Sequence, residues 1–246
     1  CGALGSIFAS KLMDAGITVQ AFQRKGATQE ALKEGLTIES EDGSSTRNYQ
    51  FLAVSHDPSC LKPSELIIVL VKSFATAKVY PVKEILEGNG VVLTLQNGIG
   101  NAETLSSIFG EERVCAGVVH YGAIRRSPGV VREAGGAFMA IGPWKSGISM
   151  RWVSDILQRA GFNAEYVEDP RPFIWKKLAV NSMVNTTAAL TGFNNAGLMN
   201  SPFIMDLMKR IGSEAIVAAE RAGVEIDPDD RSEERRVGKE CVRLCR

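Results

Sequence analysis

Neither charge is in excess in this sequence: 28 Lys and Arg stand against 28 Asp and Glu among 246 residues. A basic face of the kind that holds nucleic acid or an anionic membrane is therefore not expected. Histidine is nearly absent, with two copies. His120 falls in or at the end of an expected strand, with no carboxylate spaced to orient it, and reads as a core or rim residue; His56 reads as a loop residue. The five cysteines, Cys1, Cys60, Cys115, Cys241 and Cys245, are odd in number and lack the spacing of a metal site or a disulfide framework. Reduced thiols and no bound metal are expected. No apolar run approaches the ~20 residues of a membrane-spanning helix, and the start lacks the charged, apolar and small-residue pattern of a signal peptide. The chain reads as soluble and cytoplasmic.

What is present suffices for a core. With 45% hydrophobic residues the chain can fold as one large domain or two smaller ones. It opens at Cys1, inside what should be a loop, so the first strand of the fold is expected to be missing. Residues 231–246, which begin RSEERRVGKEC, break the helical pattern before them and read as a translated sequencing adapter, a non-native tail. That tail holds six Lys/Arg and three Asp/Glu, which leaves the remainder slightly acidic.

Residues 1–5, CGALG, run into SIFASKLMDAG, whose Ile7, Phe8, Leu12 and Met13 have helical spacing. With one Gly ahead of Cys1 this is the G-x-G-x-x-G turn of a dinucleotide fold. In it Gly2 admits a pyrophosphate, Gly5 allows close packing, and the helix N-terminus faces the negative charge. Gly16 ends the helix, and residues 17–22 read as the second strand of a βαβ unit. An acid at the end of that strand would bind the ribose of NAD, whereas here Gln23, Arg24 and Lys25 follow, which favours NADP. The two cations also fit a plain solvated strand end. Residues 28–33 suggest a short helix, and residues 36–40 and 49–55 suggest strands about a hairpin loop at 41–45.

Residues 65–71, ELIIVLV, have the continuous apolar character of a fully buried parallel strand and deliver Lys72 at their end. Residues 91–96, VVLTLQ, do the same for Asn97 and Gly98. Ligands of open α/β sheets sit outside the carboxyl ends of strands, which is where Lys72 and Asn97 fall. Asn-Gly is equally an ordinary turn, and a Lys at a strand end equally an ordinary solvated cation. Residues 115–123, 130–133 and 138–142 read as strands around the turn at 127–129, an antiparallel extension of the sheet, and residues 150–160 as an amphipathic helix.

Asp169, Pro170, Arg171 and Pro172 read as a linker and helix start, and everything beyond is helical, including residues 202–222 closed by Gly223. Within residues 173–185, FIWKKLAVNSMVN, the polar Lys177, Asn181 and Asn185 recur every four positions on a helix otherwise fit for burial. Alone, the row is either a solvated stripe with a snorkelling Lys or a row that orients a small polar substrate. The expected fold is α/β: a Rossmann-type, doubly wound NADP-binding domain at residues 1–168 lacking its first strand, then a truncated all-helical domain at 169–230.

CGALG, Arg24, the Lys72 of LVKS, the Asn97 of LQNGIG and above all WKKLAVN at residues 175–181 resemble the 2-dehydropantoate 2-reductase, or ketopantoate reductase, family. The resemblance covers residues 1–230 and is most specific at the last motif. It implies NADPH-dependent reduction of the ketone of 2-dehydropantoate to (R)-pantoate, on the way to pantothenate and coenzyme A. It implies that the turn Gly2, Ala3, Leu4 and Gly5 contacts the pyrophosphate and Arg24 the 2′-phosphate. Lys72 and Asn97 would lie near the nicotinamide ribose and substrate, Lys177 would be the general acid, and Asn181 and Asn185 would bind substrate. The family's substrate-organising glutamate belongs to later helices and has no counterpart here, so the chain as given is not expected to turn over.

Chemistry agrees independently, because hydride delivery to a ketone builds negative charge on its oxygen, which a poised cationic donor such as Lys177 stabilises and protonates. The implied partner is a small ketoacid, and a homodimer is compatible with the sequence. Two other functions fit the same plan: another NADP-dependent dehydrogenase, or a non-catalytic NADP-binding sensor. Retention of Lys177 with Asn181 counts against the sensor, since nucleotide binding alone requires neither.

Overall fold

The computed structural model describes residues 1–226, apart from the side chains of residues 137 and 195. The stretch read as an adapter-derived tail lies outside the described residues. Two compact units form, the first of Cys1–Gln96 and Gly100–Pro170, the second of Asn97–Ile99 with the described residues from Arg171 onward.

The first unit is a mixed sheet with helices packed on it. Its seven strands run in the order β3 (Thr46–Tyr49), β2 (Leu36–Glu39), β8 (Val130–Pro143), β7 (Val114–Ser127), β6 (Leu86–Thr94), β5 (Ser64–Val69), with β9 (Ala164–Tyr166) also on β8. The pairs β5 with β6 and β6 with β7 are parallel, and β7 with β8 is the expected antiparallel hairpin. Strand β1 (Ala21–Phe22) pairs in parallel with β4 (Val54–Ser55) in a separate two-stranded ribbon.

Helix α1 (Ala3–Asp14) forms where the apolar spacing predicts it, and it buries two faces. Phe8 and Leu12 join Leu93, Cys115, Met139, Ile141, Val153 and Leu157 in the main core, while Ile7 and Ala9 join Leu32, Leu36 and Ile38. The Phe8 ring stacks on Phe162 at 4.4 Å, and Tyr121 meets Phe162 edge-on at 5.5 Å. Lys11 lies beside this cluster, its Nζ 3.6 Å from Glu133 and 5.6 Å from both the Tyr121 and Phe162 rings. Helices α2 (Ala27–Glu34), α3 (Asn101–Phe109) and α4 (Arg151–Arg159) complete the unit.

Three sequence expectations are corrected. The β5 run is only partly buried, because among the described residues it pairs with β6 alone at the end of the sheet. The hairpin after β2 returns at Thr46 rather than at residue 49, so residues 50–53 are irregular. The two stretches at 130–133 and 138–142 are one strand, β8, which bends with register shifts opposite Tyr121. Gly135 there adopts φ 80°, a left-handed conformation costly for other residues. The bend lets β8 pair with β2 through Val130–Arg132 and with β9 through Met139–Ile141.

The second unit contains α5 (Arg171–Thr191), α6 (Asn195–Met199) and α7 (Pro202–Arg221). Pro172 sits in the first turn of α5, where its missing N–H costs nothing, and Ser201 caps α7 through Ile204 N–H. Leu198, Ile204 and Met208 form its core against Met183, Val184 and Ala188 of α5. No helix among the described residues is long and apolar enough to cross a membrane.

The free thiols differ sharply in environment. Cys60 is exposed, whereas Cys115 is fully buried in β7, and burial pushes its thiol up from 9.0 to about 12. In the native protein a maleimide is expected to label Cys60 and spare Cys115 until denaturant is added, read by mass spectrometry. Unfolded Cys115 ionises from about pH 9 but the folded thiol does not, so its contribution to stability is complete below pH 9 and is lost as pH rises toward 12.

Candidate active site

The N-terminal turn, the end of β1 and the end of β5 meet in the first unit. A Cβ on Gly5 would stand 3.6 Å from Cys1 Sγ and 4.0 Å from Leu70 Cδ1, so α1 packs closely on the segment that leads to Lys72. The Cys1 nitrogen lies against Gln23 Oε1, next to Arg24. Arg24 and Lys25 themselves are exposed.

Gly2 is the N-cap of α1, extended at φ −92° and ψ −171°, with no side-chain hydrogen bond to the helix and no acid in the first turn. A Cβ there would meet nothing within 4 Å. The first N–H groups of α1, from Ala3, Leu4 and Gly5, have no side-chain cap, the arrangement that accepts a phosphate. Together with exposed Arg24, these residues fit the diphosphate and 2′-phosphate of an NADP-type dinucleotide.

Lys72, exposed, follows β5 and caps a 3-10 segment, Ser73–Ile85. Asn97, also exposed, follows β6 in a turn where Gly98 and Gly100 hold φ 89° and 86°. Such a turn is closed to β-branched or bulky residues and opens directly into α3. In the second unit, Lys177 and Asn181 are half-buried on α5 and Asn185 is exposed. Each step of four turns the helix by about 40°, so Lys177 and Asn181 share a face while Asn185 has drifted about 80° from Lys177. His120 is half-buried with its ring 6.5 Å from Phe138.

Sequence reasoning missed a polar cluster beneath the β5 and β6 ends. Gln96 Nε2 donates to Val71 O at 2.8 Å and to Thr76 Oγ1 at 2.9 Å, Thr94 Oγ1 donates to Gln96 Oε1 at 3.0 Å, and Thr76 Oγ1 lies 2.8 Å from Asn101 Oδ1. The signal was available: Thr94 and Gln96, two apart, are polar positions on one face of an otherwise apolar strand.

This fold and glycine turn define a dinucleotide-binding oxidoreductase with a helical second unit. The family model for ketopantoate reductase PanE/ApbA matches residues 1–146, and that for its C-terminal part matches residues 169–245. The chain belongs to the ketopantoate reductase family. A 2-dehydropantoate 2-reductase of Halobacterium salinarum is 31% identical over 229 residues, which are 92% of this chain and 75% of that protein. The solved 2-dehydropantoate 2-reductase of Geobacter metallireducens superposes with a TM-score of 0.86 at 25% identity, covering 98% of this chain and 80% of that one. A D-mandelate dehydrogenase solved with NADH and anilino(oxo)acetate shares the fold at a TM-score of 0.85 and 21% identity, over 99% of this chain and 76% of that one.

Proposed function

We propose that this protein reduces the ketone of 2-dehydropantoate to (R)-pantoate with NADPH, a cytoplasmic step toward pantothenate and coenzyme A. The observation that carries the reading is that both halves of the family pattern are matched, the dinucleotide half across residues 1–146 and the helical half across 169–245. Free Cys60 and Cys115 are in keeping with the compartment.

When bound, NADPH supplies the hydride. The chain's own residues do the rest. The backbone of Gly2, Ala3, Leu4 and Gly5 holds the diphosphate, Arg24 pairs with the 2′-phosphate, and Lys72 and Asn97 orient the nicotinamide ribose and the ketoacid. Lys177 donates its proton to the ketone oxygen as negative charge develops there. Asn181 and Asn185 bind the substrate's polar groups and fix the carbonyl for attack. The domain division that serves this chemistry runs from 1 to 168 and from 169 to 230.

The test is NADPH oxidation by the full-length protein with 2-dehydropantoate, pantoate being identified as product, against a panel of other 2-oxo acids that includes an aryl-glyoxylate. A preference for the aryl acid would move the protein to the hydroxy-acid dehydrogenases, and binding without turnover of any acid would make it a sensor. Arg24→Ala is expected to weaken NADPH by at least about tenfold and to leave NADH unchanged, since one charge-assisted phosphate contact contributes about 1.5–3 kcal/mol. Equal affinity of the parent protein for the two cofactors in a fluorescence titration would remove the role given to Arg24.

A further inference from the structure

Thr94, Thr76 and Asn101 are 3%, 2% and 5% exposed, so their polar atoms cannot rely on water. Gln96 resolves the deficit for Thr94 and Thr76. Its two amide hydrogens are both used, one on Val71 O at 2.8 Å and one on Thr76 Oγ1 at 2.9 Å, and its carbonyl accepts from Thr94 Oγ1 at 3.0 Å. The Val71 carbonyl can only accept, which forces this orientation of the amide. Thr76 in turn has one proton for two acceptors at 2.8 Å, Ser73 O and Asn101 Oδ1, and so ties the start of the 3-10 segment to the start of α3.

The chain positions of these partners carry the consequence. Val71 immediately precedes Lys72, and Gln96 immediately precedes Asn97. We propose that Gln96 is a positioning residue whose amide locks the two strand-end loops to each other, and thereby sets where Lys72 and Asn97 present themselves to the nicotinamide end of the cofactor. This rests on the roles proposed above for Lys72 and Asn97. Glutamate cannot substitute, because it would turn a charge toward the Val71 carbonyl and supply no donor. Asparagine is one methylene short of reaching both acceptors. A displacement of roughly 1 Å at either loop is enough to cost about 10²-fold in rate.

The experiment compares NADPH with 2′,5′-ADP, which carries the 2′-phosphate but no nicotinamide, in full-length Gln96→Met, Thr76→Val and Thr76→Ser. Met keeps the length of Gln and removes its hydrogen bonds; circular dichroism reports folding. Gln96→Met is expected to weaken NADPH by about fivefold or more, keep 2′,5′-ADP within about twofold, and lower kcat by about tenfold or more. Thr76→Val should show the same selective pattern at smaller amplitude, and Thr76→Ser, which restores the hydroxyl, should abolish it. Equal weakening of both ligands would show a general loosening of the unit and overturn the proposal, as would no change in either. Should Gln96→Met fail to fold, the Thr76 pair decides by the same criterion. If the parent protein binds both ligands but does not reduce 2-dehydropantoate, the proposed function falls while the binding comparison still decides the role of Gln96.

Discussion

Lys177→Ala in the full-length protein is expected to lower kcat by about 10²-fold or more while NADPH affinity stays within about twofold. The asymmetry follows from when the interaction exists. A neutral ketone draws little from an ammonium group, but the oxygen of the transition state carries developing charge, so the contact strengthens mainly on the way to the alkoxide. Removing it raises the barrier without loosening the dinucleotide, whose proposed contacts are made by other residues. Asn181→Ala should differ in kind, raising KM for the ketoacid along with part of kcat, because an amide that binds the substrate serves the ground state as well. Lys176 provides the control. It is half-buried like Lys177 but about 100° around α5, and its replacement should change kcat by less than about threefold. Equal damage from the two lysines, measured by steady-state kinetics, would mean that the catalytic face of α5 has been misassigned.

How far that face could be read in advance depends on the kind of order involved. Lys177, Asn181 and Asn185 were visible as a row because helical periodicity is local, and α1, α4, α5 and α7 formed where apolar spacing, Pro172 and Gly223 put them. Pairing partners were less legible. The continuous apolar run before Lys72 predicts burial on both faces, yet β5 pairs only with β6 among the described residues and is partly exposed, since sequence gives composition but not the strand's place in the sheet. The Gln96 cluster escaped for a related reason: Val71, Thr76 and Asn101 are up to 25 positions from their bonding partners. The long 3-10 segment at Ser73–Ile85, with Pro81 inside it, also has no simple periodic signature.

Gly117→Ala is expected to destabilise the first unit by about 2–4 kcal/mol, although it adds a single methyl group. Gly117 lies in β7 opposite Ile141 of β8, between fully buried Ala116 and buried Val118. A Cβ there would stand 2.0 Å from Ala140 O and 2.9 Å from Ile141 Cα. Those are backbone atoms of the paired strand, so no rotamer change can relieve the clash, and the β7–β8 ladder itself must open. That ladder also carries the main core through Cys115, Val119, Met139 and Ile141, so a local shift would reach α1 and α4. The expected fall in melting temperature is about 4–16 °C for a chain of this size. Gly88→Ala is the matched control, since a Cβ at Gly88 would meet nothing within 4 Å and its stability should change by less than about 0.5 kcal/mol. Indistinguishable melting curves for the two variants would show that β7 and β8 do not approach each other at Gly117 as closely as described.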